Sequence, residues 1–215
     1  MRKIKNLSPA TIIETTRYPA KWDGCILTHS GGIFSLLKPR SGDVCLEDVA
    51  WGLAYKNRYG GHLGLLTVAE HSLMVADIIQ ILWPESGQEL AGLLHDSCEA
   101  YTHDIQAPVR KFVKVSMPNG DLVTWGDMER RVNTAVAKAL DIHKDFYNSN
   151  EVAAADILAA AIEKKLLAPK ASRGFPNIPV ELAHLEIHRF SPETAYELFL
   201  ERYRELAAAN LSEES

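Results

Sequence analysis

An apolar helical run, Ala91-Gly92-Leu93-Leu94, leads without a break into His95-Asp96, and Glu99, His103 and Asp104 follow in the stretch "AGLLHDSCEAYTHD". This stretch constrains the fold more than any other, because a carboxylate taken out of water without a partner costs several kcal/mol. Any fold the chain adopts must bring other side chains to these groups. Two more segments repeat the oddity. In "TVAEHSLMVADIIQIL" the residues Val68, Val75, Ile78, Ile79 and Leu82 form a stripe at helical spacing, and His71 shares that face. In "EVAAADILAAAIEKKLL" Asp156 is surrounded by Ala, Val, Ile and Leu. His95 shares a face with Ala91, while Asp96 lies roughly 100° round the helix.

Taken singly, each group has a structural explanation. A buried histidine commonly bonds a backbone carbonyl, and an aspartate in an alanine-rich helix can face solvent. Taken together, two histidines and two aspartates on inward faces satisfy one another by binding a cation. Two nitrogens and two oxygens suit a divalent ion such as Mn, Fe, Co, Ni or Zn, with Mg also compatible, and do not form a soft thiolate site. The expectation is one divalent ion held by His71, His95, Asp96 and Asp156, with coordination positions left for water and substrate.

The surrounding pattern is helical. The periodicity predicts helices near 46–56, 67–83, 86–101, 124–141, 149–167 and 191–209, with a short one near 105–115. Thr67–Glu70 and Ser86–Glu89 fit the capping box, and Thr124–Asp127 is a weaker version of it. "CILTHSGGIFSLL" reads as a hairpin and "VSMPNGDLVTW" as a small β excursion around a Pro-Asn-Gly turn. The fold class expected is all-α. Residues 1–45 form an irregular lead-in packed on the core, and residues 46–215 form one helical domain.

Composition narrows the function classes. The chain has 215 residues and a net charge of −5, which argues against a nucleic-acid polymer as partner. Cys25, Cys45 and Cys98 have no paired spacing, as in a reduced protein. The start "MRKIKNLSPATIIETT" lacks an apolar secretory segment, and no apolar run approaches the roughly 20 residues that span a bilayer. A cytoplasmic location without membrane partners is expected.

"VAEHS", then "LLHDSCEAYTHDIQAPVRK", then "AAADILAAAIE" resemble the HD-domain metal-dependent phosphohydrolases, with the greatest likeness to the bacterial 5′-deoxynucleotidase branch and its phage-encoded relatives. The pattern of that family is a His in the first core helix, a His-Asp doublet in the second and a distant Asp in a later one. It falls on His71, His95, Asp96 and Asp156. "SLLKPRSGDVCLEDVAWGLAYKNRYGGH" is similar to the lead-in of the phage-type members, and "SPETAYELFLERYREL" to their closing helix. The resemblance implies an HD-type helical core, a divalent ion, a small-molecule nucleotide substrate and a homodimer. It assigns Glu99 as a catalytic acid, Asp104 as its helper and Arg58 as a ligand of the substrate phosphate. Gly often stands in the family where this chain has His103, and Pro where it has Gln106, so the loop after the doublet is expected to differ in shape.

The chemistry of the residues agrees. Phosphate-ester hydrolysis is catalysed mostly by positioning and charge stabilisation. Glu99, one turn beyond His95, suits general acid–base work, and Arg58 suits bidentate phosphate binding. His62 in "GGH" is a further candidate phosphate ligand, and His103 a candidate for a second metal site. Arg110 and Lys111 suit either a longer phosphate chain or a solvated face, and Cys98 suits a core thiol. The leading expectation is a 5′-nucleotidase releasing phosphate from (deoxy)nucleoside monophosphates. The alternatives are a deoxynucleoside triphosphate triphosphohydrolase and a non-catalytic nucleotide sensor. A di-iron oxygenase needs more histidines around the doublet than this chain supplies.

Overall fold

Apolar stripes at helical spacing organise the computed structural model, which describes residues 22–143, 145–171 and 174–213. A hairpin of β1 (Cys25–Leu27) and β2 (Ile33–Ser35) precedes α1 (Leu46–Ala54) and α2 (Val68–Leu82). After α2 come three short helices, α3 (Glu89–Leu94), α4 (Glu99–Thr102) and α5 (Ala107–Arg110). A second hairpin, β3 (Lys114–Ser116) with β4 (Leu122–Thr124), leads into α6 (Trp125–Ala139). The chain finishes with α7 (Asn150–Leu167) and α8 (Pro192–Glu213). The fold is all-α, with each hairpin an isolated antiparallel pair, Ile26 opposite Phe34 and Val115 opposite Val123.

Helix α2 is the central element. Thr67 caps it, its hydroxyl accepting the Glu70 N–H at 3.0 Å. One of its faces joins a core cluster containing Phe34, Leu53, Leu93, Tyr101 and Phe199, and another joins a cluster containing Val152, Leu158, Ile162 and Leu182. Being apolar nearly all round, α2 is buried by α1, α3, α7 and α8 together. Within the described residues of the expected lead-in, Phe34 is fully buried and stacks on Tyr101 at 3.9 Å. Asp48 of α1 holds the hairpin turn, accepting from the Ser30 N–H at 2.7 Å and its hydroxyl at 2.8 Å. Residues 1–21 of the lead-in lie outside the described residues.

Three expectations are corrected. The helix read over 86–101 is two helices, because residues 95–98 wind as tight turns: Ser97 N bonds Leu94 O, Glu99 N bonds Asp96 O, and the Ser97 hydroxyl also donates to Leu94 O. The Ser86–Glu89 box does not form: Ser86 lies in a separate turn, Gly87 follows at φ 63°, and α3 starts after Gln88 without a side-chain cap. The helix expected over 105–115 is confined to α5, and its latter part becomes β3. Conversely, Thr124–Asp127 makes the complete box. At Thr67 the box is half-formed, because the Glu70 carboxylate accepts instead from the backbone N–H groups of His188, Arg189 and Phe190 at 2.7, 2.9 and 3.2 Å. Glu70 thereby docks the segment that leads into α8.

Helix α4, which begins at Glu99, is held against α1 at close range. A Cβ added at Gly52 of α1 would stand 2.8 Å from both the Cβ and the carbonyl oxygen of Ala100. Lys56 ties the two elements from the side, its Nζ donating to Ala100 O at 2.6 Å and to Gly52 O at 3.4 Å. Replacing Gly52 by Ala therefore forces backbone apart. We expect Gly52→Ala to cost about 1–3 kcal/mol in urea unfolding, and a variant as stable as wild type would show that this contact yields freely.

Candidate metal centre and the adjoining cavity

His71, in the second turn of α2, is fully buried. Its Nδ1 lies 2.7 Å from Glu163 Oε1, and since the ionised carboxylate only accepts, Nδ1 carries the proton. His95 is oriented in the same way by a different partner, Nδ1 donating to the Gly92 carbonyl at 2.8 Å. Both rings therefore turn Nε2 to a common point between α2, the doublet turn and α7. Both Nε2 atoms are buried and lack a hydrogen-bond partner.

Two carboxylates complete the set. Asp156 Oδ1 lies 3.1 Å from His71 Nε2 and 4.0 Å from His95 Nε2. Asp96 Oδ2 lies 3.1 Å from His95 Nε2 and 3.8 Å from His71 Nε2. Ligands about 2.1 Å from an ion stand roughly 3.0 Å apart when adjacent in an octahedron and 4.2 Å when opposite. The observed separations fall in or beside that range. The ligand atoms of His71, His95 and Asp156 all lie within 4.8 Å of one another. His71, His95 and Asp156 form a three-ligand group that fits a divalent ion, with Asp96 Oδ2 beside it and the Asp156 side chain half-exposed. Without one, a proton serves: burial and Arg58 oppose charge on His71, yet Glu163 and Asp156 raise its pKa to about 9. Burial opposes charge on Asp156 too, but the two histidines hold it well below the usual carboxylate range.

Beside this centre opens a cavity of about 700 Å³. Arg58, Asp96, Glu99, Asp104 and Asp156 lie on its polar side, and Ile105, Pro108, Ile157 and Phe175 give it an apolar wall. Arg58 is pinned just ahead of α2, its N–H donating to Leu66 O at 2.8 Å. Its Nε donates to Glu163 Oε2 at 3.2 Å, and its Nη1 lies 3.8 Å from Asp96. Glu99 is buried, and its Oε2 has no partner. Burial, with Asp96 and Asp104 nearby, pushes its carboxyl well above the ordinary value. Burial raises Asp104 as well.

The other candidates separate. His62 is exposed at the cavity rim. His103 adopts φ 70°, ψ 151°, a conformation suited to the Gly often found there, and lines a different cavity with Lys56 and Trp51. It is not brought to the metal centre. Arg110 also lines the main cavity, but its guanidinium pairs with Glu129 at 3.2 Å, and the Lys111 ammonium lies over the Phe112 ring. Cys98 is buried in the core, where burial pushes its thiol up.

Sequence reasoning missed Glu163, Tyr59 and Lys164. Glu163 is fully buried and binds Tyr59 as well, the phenol donating to Oε2 at 2.6 Å. Lys164 in turn donates to the Tyr59 oxygen at 3.1 Å. A signal for Glu163 existed: it follows Asp156 by seven residues, two helical turns, and so shares its face.

Residues 68–169 match the family described as HD domain. The chain is 27% identical over 188 residues to the uncharacterized protein YfdR of Escherichia coli strain K12, covering 85% of this chain and 95% of that protein. It is 38% identical over 86 residues to an uncharacterized protein of Rhodobacter capsulatus, covering 38% of this chain and 44% of that one. Among the described residues no helix is long and apolar enough to cross a membrane.

Two results are expected from calorimetric titration with Mn²⁺ or Co²⁺. Asp156→Asn weakens binding by about 100-fold or more, beyond the 10–100-fold typical of residues that only orient ligands. Wild-type affinity also falls as pH drops, because the ion must displace the proton that His71 holds below about 9. Undiminished affinity in the variant would remove Asp156 from the ligand set.

Proposed function

We propose, from the match of residues 68–169 to the HD domain family, which is in general one of metal-dependent phosphohydrolases, that this protein hydrolyses the phosphate ester of (deoxy)nucleoside 5′-monophosphates. The observation that carries this reading is the joining of two environments. Two unpartnered histidine nitrogens and two aspartates sit at the polar end of a cavity that also holds Arg58 and Glu99, whose carboxyl is raised well above the ordinary value. Ile105, Pro108, Ile157 and Phe175 line the same cavity and give it apolar surface suited to a nucleoside.

When bound, a divalent ion supplies charge stabilisation to the phosphoryl oxygens and lowers the pKa of water. The chain does the rest. Arg58 is held by Nε, which leaves its remaining N–H groups for phosphate oxygens. Glu99 donates its proton to the nucleoside ester oxygen as the P–O bond breaks, and its carboxylate then recovers a proton from the attacking water. Asp104, on the same wall, orients that water. Ile157 and Phe175 cover the nucleoside and exclude solvent from it. His62, at the rim, contributes at most to an outer phosphate contact.

A triphosphohydrolase needs free cations along a longer phosphate chain. Of the cations lining the cavity beyond Arg58, Arg110 is engaged by Glu129 and Lys164 donates to the Tyr59 oxygen, which favours the monophosphate. The retained acid Glu99 favours turnover over sensing.

A phosphate-release assay with Mn²⁺ or Co²⁺ over a panel of nucleoside mono- and triphosphates tests this. We expect phosphate from the monophosphates and little or no tripolyphosphate from the triphosphates; the reverse preference would sink the monophosphate reading. Glu99→Gln should lower kcat by about 10²–10⁴-fold while leaving Mn²⁺ affinity within a few fold. Full activity in that variant would remove Glu99 as the acid.

A further inference from the structure

Glu163 uses its two oxygens for two different tasks. Oε1 accepts from the Nδ1–H of His71 at 2.7 Å, while Oε2 accepts from Arg58 Nε at 3.2 Å and from the Tyr59 hydroxyl at 2.6 Å. Its relative exposure is 0%, so bulk water offers no replacement partner. Its ion pair with the Arg58 guanidinium at 3.2 Å marks it as a carboxylate. The loop it holds is strained: Tyr59 has φ 56°, ψ 24°, a left-handed conformation that a bulky residue rarely adopts. The hydrogen bond from its phenol secures that turn and with it the neighbouring Arg58.

We infer that Glu163 is a positioning residue that couples ion binding to phosphate capture, one carboxylate setting the tautomer of the metal ligand His71 and the aim of Arg58. The inference rests on the reading of Arg58 as a phosphate ligand and is independent of which nucleotide is cleaved. The α7 helix that supplies Asp156 to the ion thus also supplies, two turns on, the group that joins ion site to phosphate site. By linkage, whatever strengthens one of the two binding events through this carboxylate strengthens the other.

Glu163→Gln tests the coupling because the amide is nearly isosteric but has one acceptor and one donor end. If its oxygen faces His71, its NH₂ opposes the Arg58 Nε–H, which cannot turn into an acceptor, and Arg58 loses its hold. If its oxygen faces Arg58, its NH₂ faces His71 Nδ1. The imidazole proton must then move to Nε2, which removes the lone pair the ion needs. The variant cannot keep both functions.

Affinities for Mn²⁺, and for inorganic phosphate in the presence of Mn²⁺, are read by calorimetry, with melting by circular dichroism to verify the fold. We expect at least one of the two affinities to fall by about 10-fold or more in a folded Glu163→Gln protein. If that variant does not fold, Glu163→Asp retains the charge opposite Arg58 but is one methylene too short to serve both sides, and the same loss is expected. Both affinities within twofold of wild type in a folded variant overturn the inference. A wild-type protein that binds Mn²⁺ but no phosphate overturns it too. Wild type that binds both yet cleaves no nucleotide overturns the substrate reading and leaves the coupling standing.

Discussion

Two hydrogen bonds on the outer edges of two buried rings decide what the inner edges can do. A buried imidazole bonded through Nδ1 to a group that only accepts must present its lone pair at Nε2. His71 is held in this way by Glu163, and His95 by the Gly92 carbonyl. With Asp156 half-exposed and Asp96 partly buried beside them, these two buried lone pairs face carboxylates rather than donors, an arrangement that fits a cation. The donor set is thus a consequence of hydrogen bonds made outside it, as is usual where surrounding groups orient metal ligands.

The packing around α2 makes those bonds dependable. Gly92 approaches α2 so closely that a Cβ there would stand 2.5 Å from Ile79 Cδ1 and 3.5 Å from the backbone of Ala76. The carbonyl that orients His95 is therefore part of a tight helix–helix contact, where small displacements are resisted. The break after α3 is equally consequential. By winding residues 95–98 as tight turns, the chain sends Asp96 to the ion site and Glu99 to the cavity wall within one short stretch. An uninterrupted helix would have rotated these side chains by a fixed 100° each.

Electrostatics then assign unlike roles to neighbouring acids. Glu163 and Asp156 face cationic or imidazole partners that lower their pKa values, whereas burial and neighbouring carboxylates raise that of Glu99 well above the ordinary value. Their intrinsic acidities are similar, so location alone separates the two carboxyls with lowered pKa from the one with raised pKa. The same logic ties the Arg110 guanidinium to Glu129, itself buried.

Much of this was legible in the chain. Helical periodicity, the cap at Thr67, and polar residues on apolar faces are local properties; they set the all-α class and singled out His71, His95, Asp96 and Asp156 as candidates, three of which the structure groups within 4.8 Å. What the sequence by itself could not determine is which group answers which. Glu70 reads as the second half of a capping box, yet its carboxylate goes to backbone 118–120 residues away. His103 reads as part of the doublet cluster, yet a positive φ turns the chain there and it lines a separate cavity. Glu163 does not stand out in the sequence, yet it is the fully buried partner of a histidine 92 residues earlier. Spacing along the chain sets the face of a helix that a side chain occupies. Only the packing of helices against one another decides the partner across that face, because a buried charge is neutralised by whatever is nearest in space.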